Sequence, residues 1–248
     1  MHNLSQILIF VTFIVLLGWT INNQFGRTQL KSKSHEDWLL DTVSLMIQGI
    51  VIPLLQATLV YGIYHYLFPQ FQGILEIAPI LAFIISFILV DYLYYWNHRL
   101  LHSNFLWSVH QVHHTVTQMD VLGTSRNTLW TSLLIIYLWI HTLFLYLLSD
   151  PTAYLLGVSL TSALDLWRHS RLIIDENSWL YRFVFPWLIL PQDHAWHHCS
   201  EVFNCNYGAN LKLWDKFHKT YYESKDLPSA LGIFTSLSLS QKLLWPFS

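Results

Sequence analysis

The segment NHRLLHSNFLWSVHQVHHT, residues 97–115, marks the point where the chain changes character. It holds five histidines in nineteen positions, whereas the fourteen histidines of the 248-residue chain would place about one there if evenly spread. A long apolar run, residues 79–96, ends immediately before it. Since imidazole is the commonest metal ligand among side chains, the segment predicts a metal site at the end of a membrane-spanning helix.

The composition of the whole chain agrees with a membrane protein. Hydrophobic residues make up 53% and charged residues 11%, against roughly 25% charged in soluble domains. Twelve tryptophans and thirteen tyrosines suit a chain with much surface at membrane interfaces. The net charge of −2 provides no broad basic surface, so we expect no nucleic-acid partner. Two cysteines are too few for a disulfide framework.

The apolar runs predict an all-α fold with a multi-pass transmembrane stem of about four to five spans. The runs cover residues 4–21, 43–68, 79–96, 129–148 and 152–166, and a span needs about 20 residues. The predicted organisation is a single membrane-embedded domain, 1–248, with a stem (4–96), first and second histidine motifs (97–127), a transmembrane hairpin (128–166), third and fourth histidine motifs (167–221) and a peripheral C-terminal segment (222–248).

The basic residues predict the orientation of this stem. With the N-terminus outside and five crossings, the outer segments are 1–3, 69–78 and 149–151, and they contain no Lys or Arg. All 13 basic residues then fall on the inner side or at its boundary, as the positive-inside rule requires. We therefore expect a histidine-rich helical cap on the cytoplasmic side, at the inner membrane of a bacterium or the endoplasmic reticulum of a eukaryote.

The histidines recur at helical spacing in three places. Two stand four apart at the end of the third run, and two His-x-x-His-His sets follow, in HQVHH and DHAWHH; such spacings place side chains on one helix face. A structural zinc site takes four ligands, so eight imidazoles predict two transition metals. The candidate ligands are His98, His102, His110, His113, His114, His194, His197 and His198. His169, after the fifth run, is favoured as a ninth, and His218 stays open.

Three carboxylates stand close to these histidines in sequence. Asp91 lies two helical turns before His98, and Asp165 lies one turn before His169. Each could orient an imidazole N–H or, alternatively, make a cap or an interhelical hydrogen bond. Asp193 directly precedes His194, and capping of that helix is its preferred role.

The ordered motifs resemble those of the fatty acid hydroxylase/sterol desaturase superfamily, which are integral membrane, non-haem di-iron oxygenases. DYLYYWNHRLLH, HQVHH, RHS and DHAWHH…NYGANLKLWDKFHKTY carry the resemblance, from Asp91 to Tyr221. It implies that all nine histidines are metal ligands and that Asn206 and Tyr207 lie beside the site. It also implies two iron ions, replaceable by zinc, with O2 as co-substrate. Arg171 stands where the third motif of the family commonly has Asn.

The resemblance implies an O2-dependent lipid hydroxylase or desaturase whose substrate enters from the bilayer. No Gly-x-Gly-x-x-Gly segment is present, so an external haem-type carrier or a ferredoxin with its reductase would supply electrons. Sterol, fatty acyl, sphingolipid, ether-lipid and carotenoid substrates all stay open, as does the oligomeric state. The alternative is a histidine-rich membrane metal-binding or metal-transport protein without oxygenase activity.

Overall fold

Helices make up the fold, as the sequence predicts. The computed structural model describes residues 2–202, 204–224 and 226–245, with the backbone alone for residues 2–5, and it contains no β-strand within them. The helices are α1 (His2–Asn22), α2 (Gln24–Ser32), α3 (His35–Leu67), α4 (Pro79–Leu101), α5 (Trp107–His110), α6 (Thr131–Leu134), α7 (Ile136–Leu147), α8 (Thr152–Arg168), α9 (Trp179–Val184), α10 (Pro191–His197), α11 (Leu213–Phe217) and α12 (Leu239–Leu244).

Two helices are long and apolar enough to cross a bilayer. They are α3, with 33 residues, and α4, with 23, which at 1.5 Å per residue span about 50 and 35 Å against roughly 30 Å of hydrocarbon. Large apolar side chains point away from the protein along them, including Ile50, Leu54 and Ile80, each at least 60% exposed. Such surfaces are stable when they contact lipid.

The first apolar run forms a helix that bends sharply. Residues Gln6–Asn22 and Gln24–Ser32 meet at 94°, and the Asn23 side chain caps α2 by accepting a hydrogen bond from the amide of Phe25 at 2.9 Å. A Cβ at Gly26 would lie 2.4 Å from the carbonyl oxygen of Thr20, so the bend requires glycine here. Counted as one span, this pair raises the number of candidate spans to three.

The prediction of four to five spans is not confirmed, because the last two runs form short helices. The backbone turns extended at Ile135, with φ −78° and ψ 123°, and this leaves α7 with 12 residues, or about 18 Å. Helix α8 has 17 residues and packs within the protein. Its Gly157 faces α4 so closely that a Cβ would meet the Ser86 hydroxyl at 2.1 Å.

These contacts bring two helix ends together. Helix α8 packs against α1 and α4, and Leu166 of α8 joins Leu16 of α1 and Val121 in one buried apolar cluster. The C-terminal ends of α4 and α8, with the histidines that follow them, therefore lie on the same side of the helical stem.

Candidate metal centre

All nine predicted histidines lie together, and they divide into two groups. Group one consists of His98, His102, His110, His114 and His197; group two consists of His113, His169, His194 and His198. Within each group one ring nitrogen from every residue lies within 4.8 Å of the others. Eight of the nine are buried, and His102 is half-buried. His218 belongs to neither group and stacks on Tyr92 and Tyr95 instead.

Local helical geometry explains the division. Histidines four residues apart, such as His194 and His198, belong to the same group. His197, three residues after His194, belongs to the other group. With 3.6 residues per turn, neighbours at i+3 and i+4 point about 100° apart, so an adjacent His-His pair faces two centres at once. The sequence had predicted one common face, and it missed this split.

The second motif is also less regular than its spacing suggests. The segment between the first two motifs breaks the helix, since α4 ends at Leu101 and α5 begins at Trp107. Helix α5 ends at His110, and a 3₁₀ turn, His113–Thr115, follows it. His114 still returns to the group of His110.

Nitrogen atoms of neighbouring rings face one another inside both groups. The Nε2 atoms of His98 and His110 are 3.1 Å apart, and those of His102 and His114 are 3.2 Å apart. In group two, His194 Nε2 lies 3.0 Å from His169 Nε2 and 3.2 Å from His198 Nε2. Lone pairs of neutral imidazoles converge in this way on a cation that they share.

Backbone carbonyls fix four of the rings. The Nδ1 atoms donate to carbonyl oxygens in the pairs His98–Tyr207 (2.8 Å), His113–Arg126 (3.1 Å), His169–Asp165 (2.9 Å) and His197–Cys205 (2.7 Å). Because a carbonyl only accepts hydrogen bonds, each of these Nδ1 atoms carries the proton. Each Nε2 then presents a bare lone pair, which is the arrangement that supporting residues impose on metal-binding histidines.

Unpartnered atoms test whether a metal fits. The His197 Nε2 atom is buried without a hydrogen-bond partner among the described residues, although its Nδ1 proton is already used by Cys205. A buried acceptor without a donor is destabilising, and a cation bound to the imidazoles of group one would satisfy it. The donor set consists of histidines alone, which suits zinc, copper, iron and nickel better than calcium or magnesium.

Burial keeps these imidazoles neutral. Burial first, and then the neighbouring imidazoles, lower the pKa of His102 to about 2 and the pKa of His113 to about 3. Burial lowers the pKa of His197 to about 3, although its bond to Cys205 opposes the shift. Metals bind the unprotonated ring, so these three imidazoles are in the metal-binding form at neutral pH.

Residues 205–215, here called the strap, pack against group one and supply two of the orienting carbonyls. Asp215 holds the strap by accepting from the amides of Tyr207 at 2.8 Å and Gly208 at 2.7 Å. The Tyr207 ring packs against His102 at 5.0 Å between centroids. The Asn206 side chain donates to the carbonyl of Asp193 at 2.8 Å. Asn206 and Tyr207 therefore lie beside the histidines, as the resemblance implies.

Asp91 differs from its predicted place. Its oxygens accept from the amide of Asn210 at 2.7 Å, the amide of Leu211 at 3.1 Å and the indole of Trp214 at 2.8 Å, and it makes no hydrogen bond to a histidine within the described chain. Two turns above His98, this carboxylate faces the strap that passes over α4. Asp91 thus makes the alternative interaction considered above, between a helix and another segment.

The other two carboxylates lie where the sequence places them. Asp193 caps α10 by accepting from the amide of Leu190 at 2.9 Å, and it also pairs with the buried Lys212 at 2.9 Å. The Asp165 carboxylate lies 3.5 Å from His169 Nδ1 and pairs with Arg168 at 2.9 Å.

A buried ionic network was missed from the sequence. Arg126 pairs with Asp37 and Asp41, each at 2.7 Å, and Lys33 pairs with Asp41 at 2.5 Å and with Asp120 at 2.8 Å. The network joins α3 to the loop whose Arg126 carbonyl orients His113. Asp120 and Arg126, two charged residues shortly after the second motif in a chain that is 11% charged, were the available signal.

Known proteins share these motifs. The family described as fatty acid hydroxylase matches residues 83–220. The ornithine lipid hydroxylase OlsE of Rhizobium tropici is 28% identical over 151 residues, which cover 56% of this chain and 41% of that protein. The alkylglycerol monooxygenase of Homo sapiens is 30% identical over 140 residues (55% and 29%), and that of Danio rerio is 27% identical over 171 residues (66% and 36%).

The chain spans less than half the length of each of these relatives. No solved structure shows significant similarity to it.

Proposed function

The chain belongs to the fatty acid hydroxylase family, and from this premise we propose that it is a membrane di-iron oxygenase that uses O2 to hydroxylate or desaturate a lipid. One observation carries the proposal: nine histidines, eight of them buried, divide into groups of five and four, which is a set for two metal ions. The relatives, named as a lipid hydroxylase and as monooxygenases, point to the same reaction class.

In this proposal each group binds one iron. His98, His102, His110, His114 and His197 would hold the first ion, and His113, His169, His194 and His198 the second. Bound iron supplies the reduction of O2 and the oxidation of an unactivated C–H bond. The chain's own residues orient the imidazoles through backbone carbonyls, keep them unprotonated and exclude water from the centre.

The substrate and the electrons come from outside the protein. We propose a lipid that enters from the bilayer, because the helices beside the cap expose apolar side chains. An external haem-type carrier or a ferredoxin with its reductase would deliver electrons. We also retain the cytoplasmic orientation of the cap, because the outer segments of the predicted topology contain no basic residue.

A metal-binding or metal-transport protein without oxygenase activity is the second candidate. Only His102, the one half-buried ligand candidate, favours it, because the other eight lie closed within the protein. A transporter needs ligands that open along a path across the membrane. The deep burial of both groups favours the oxygenase.

The experiment combines metal analysis with lipid analysis. Protein purified from cells supplied with iron is expected to contain about two transition-metal ions per chain, since sites of this type take about four ligands each. Cells that express it are expected to contain a lipid with one added oxygen atom or two fewer hydrogen atoms, absent when His198→Ala is expressed. His218→Phe is the matched control and keeps the product. Two metal ions per chain without any altered lipid would favour the second candidate. One metal ion or none in folded protein would contradict the assignment of one ion to each group.

A further inference from the structure

A cleft lies beside group two, on the side of the bend between α1 and α2. Its volume is about 520 Å³, and a smaller cavity of about 290 Å³ shares part of its wall; ligand sites usually measure about 300–1,000 Å³. Ser170 and Ala195 line the cleft, and they directly follow His169 and His194. The cleft therefore adjoins the elements that carry group two.

Arg171 is the cation in the described wall of this cleft, and no described residue forms an ion pair with it. Its guanidinium lies over the ring of Phe25 at 4.4 Å, and the described residues offer it no carboxylate and no hydrogen-bond acceptor. Two buried arginines nearby are paired: Arg126 binds Asp37 and Asp41, and Arg168 binds Asp165.

Among the described residues, neither cavity has an acidic residue in its wall. A half-buried cation without a counter-ion is unfavourable, and an arginine fork is suited to bind carboxylate or phosphate through two parallel hydrogen bonds. The stacking on Phe25 holds the fork in place before a ligand arrives.

The cleft wall also carries apolar side chains and reaches the membrane-facing helix. Met119, Ile173, Leu227 and Leu231 line the larger cavity, and Trp19, near the end of α1, lines the smaller one. Side chains earlier on α1, such as that of Phe10, are exposed. A ligand with an acidic head and an alkyl chain matches this combination of one cation and an apolar path.

We propose that this cleft binds the acidic head group, a phosphate or a carboxylate, of the lipid substrate, and that Arg171 is the residue that recognises it. The inference rests on the proposed function and specifies its substrate class as acidic lipids. Arg171 acts by binding the head group and takes no part in metal binding.

The test compares ligands that share one chain and differ in charge. Iron-loaded protein in a neutral detergent is titrated with dodecyl phosphate, dodecanoate, dodecanol and inorganic phosphate. We expect each acidic amphiphile to bind at least about tenfold more tightly than dodecanol, since hydrogen bonds to charged groups are the strong ones. Equal affinity for dodecanol overturns the proposal. Equal affinity for inorganic phosphate and dodecyl phosphate also overturns it, because the site would then recognise a free anion.

Substitutions identify the residue. Arg171→Gln is expected to abolish the preference for the acids, and Arg171→Lys to retain part of it, because lysine keeps the charge without the fork. Arg182→Gln, an exposed arginine on α9, is the matched control and keeps the preference. Unchanged affinity in Arg171→Gln contradicts the proposal.

A second variant covers the case in which Arg171→Gln loses iron or fails to fold. Ala230 is an exposed residue in the cleft wall, and Ala230→Trp fills the cleft without touching the arginine. It is expected to weaken dodecyl phosphate binding about tenfold, as the cleft becomes occupied, while iron content stays constant; undiminished binding overturns the proposal. Because binding is read separately from metal content and lipid product, a missing acid preference in an active di-iron enzyme refutes this inference alone.

Discussion

Replacing Asp91 with asparagine tests whether the strap holds the metal centre in place. Asp91 is 1% exposed, and its two oxygens accept three hydrogen bonds from the strap. An asparagine keeps one oxygen for Leu211 and Trp214, but its NH2 group then faces the amide of Asn210, donor against donor. One lost hydrogen bond to a charged group costs about 1.5–3 kcal/mol, so we expect a loss of about 2–3 kcal/mol in the free energy of unfolding.

The metal affinity should fall as well, because the strap supplies the carbonyls of Cys205 and Tyr207 to two imidazoles. Changes in residues that support metal ligands typically cost about 10–100-fold in affinity, and we expect a loss in this range. Chelator competition measures it, thermal unfolding in detergent measures stability, and Asp175→Asn, at an exposed carboxylate, is the control. Lower stability with unchanged metal affinity would refute the link between the strap and the centre.

Three further predictions follow from the same geometry. His197→Ala and His198→Ala should each leave about one metal per chain by elemental analysis, because each removes a ligand of a different group; full metal content in either variant contradicts the division. Arg126→Gln removes the ion-pair partner of the half-buried Asp37 and one of the two partners of the buried Asp41, and should lower the unfolding free energy by about 2–3 kcal/mol. Arg182→Gln should have little effect, and equal stability of the two variants would show that the network contributes nothing. Metal-free protein should lose stability as the pH falls from 7 towards 5, because the pKa values of His113 and His197 are about 3 in the folded chain and about 6.5 when unfolded, so that protons bind the unfolded state first. Metal-loaded protein should resist that acidification, and identical acid melting with and without metal would contradict the prediction.

The sequence predicted that the nine histidines lie together. This was possible because ligand chemistry and short-range spacing can both be read from neighbouring residues. His98 and His102 sit one helical turn apart whatever surrounds them, and so do His194 and His198. The all-α class was predictable for a similar reason, since long apolar runs leave the backbone few alternatives in lipid.

What the sequence did not reveal depends on contacts between distant segments. Two roles stayed open for Asp91 because only neighbours along its own helix were visible, whereas its partners lie about 120 positions later. The network around Arg126 joins residues more than 80 positions apart. The predicted count of spans is not confirmed, because a hydropathy pattern does not show the extended backbone at Ile135, which shortens α7.

The division of the adjacent pairs, His113–His114 and His197–His198, between the two groups has a geometrical consequence. Neither group contains a carboxylate that could bridge two ions, so in the proposed centre the spacing between two bound ions would depend on the pitch of two short helical turns. The backbone of these two turns would therefore determine the distance between the two ions. One residue inserted at either pair would rotate the following imidazole by about 100° and change that distance, even though every ligand was still present.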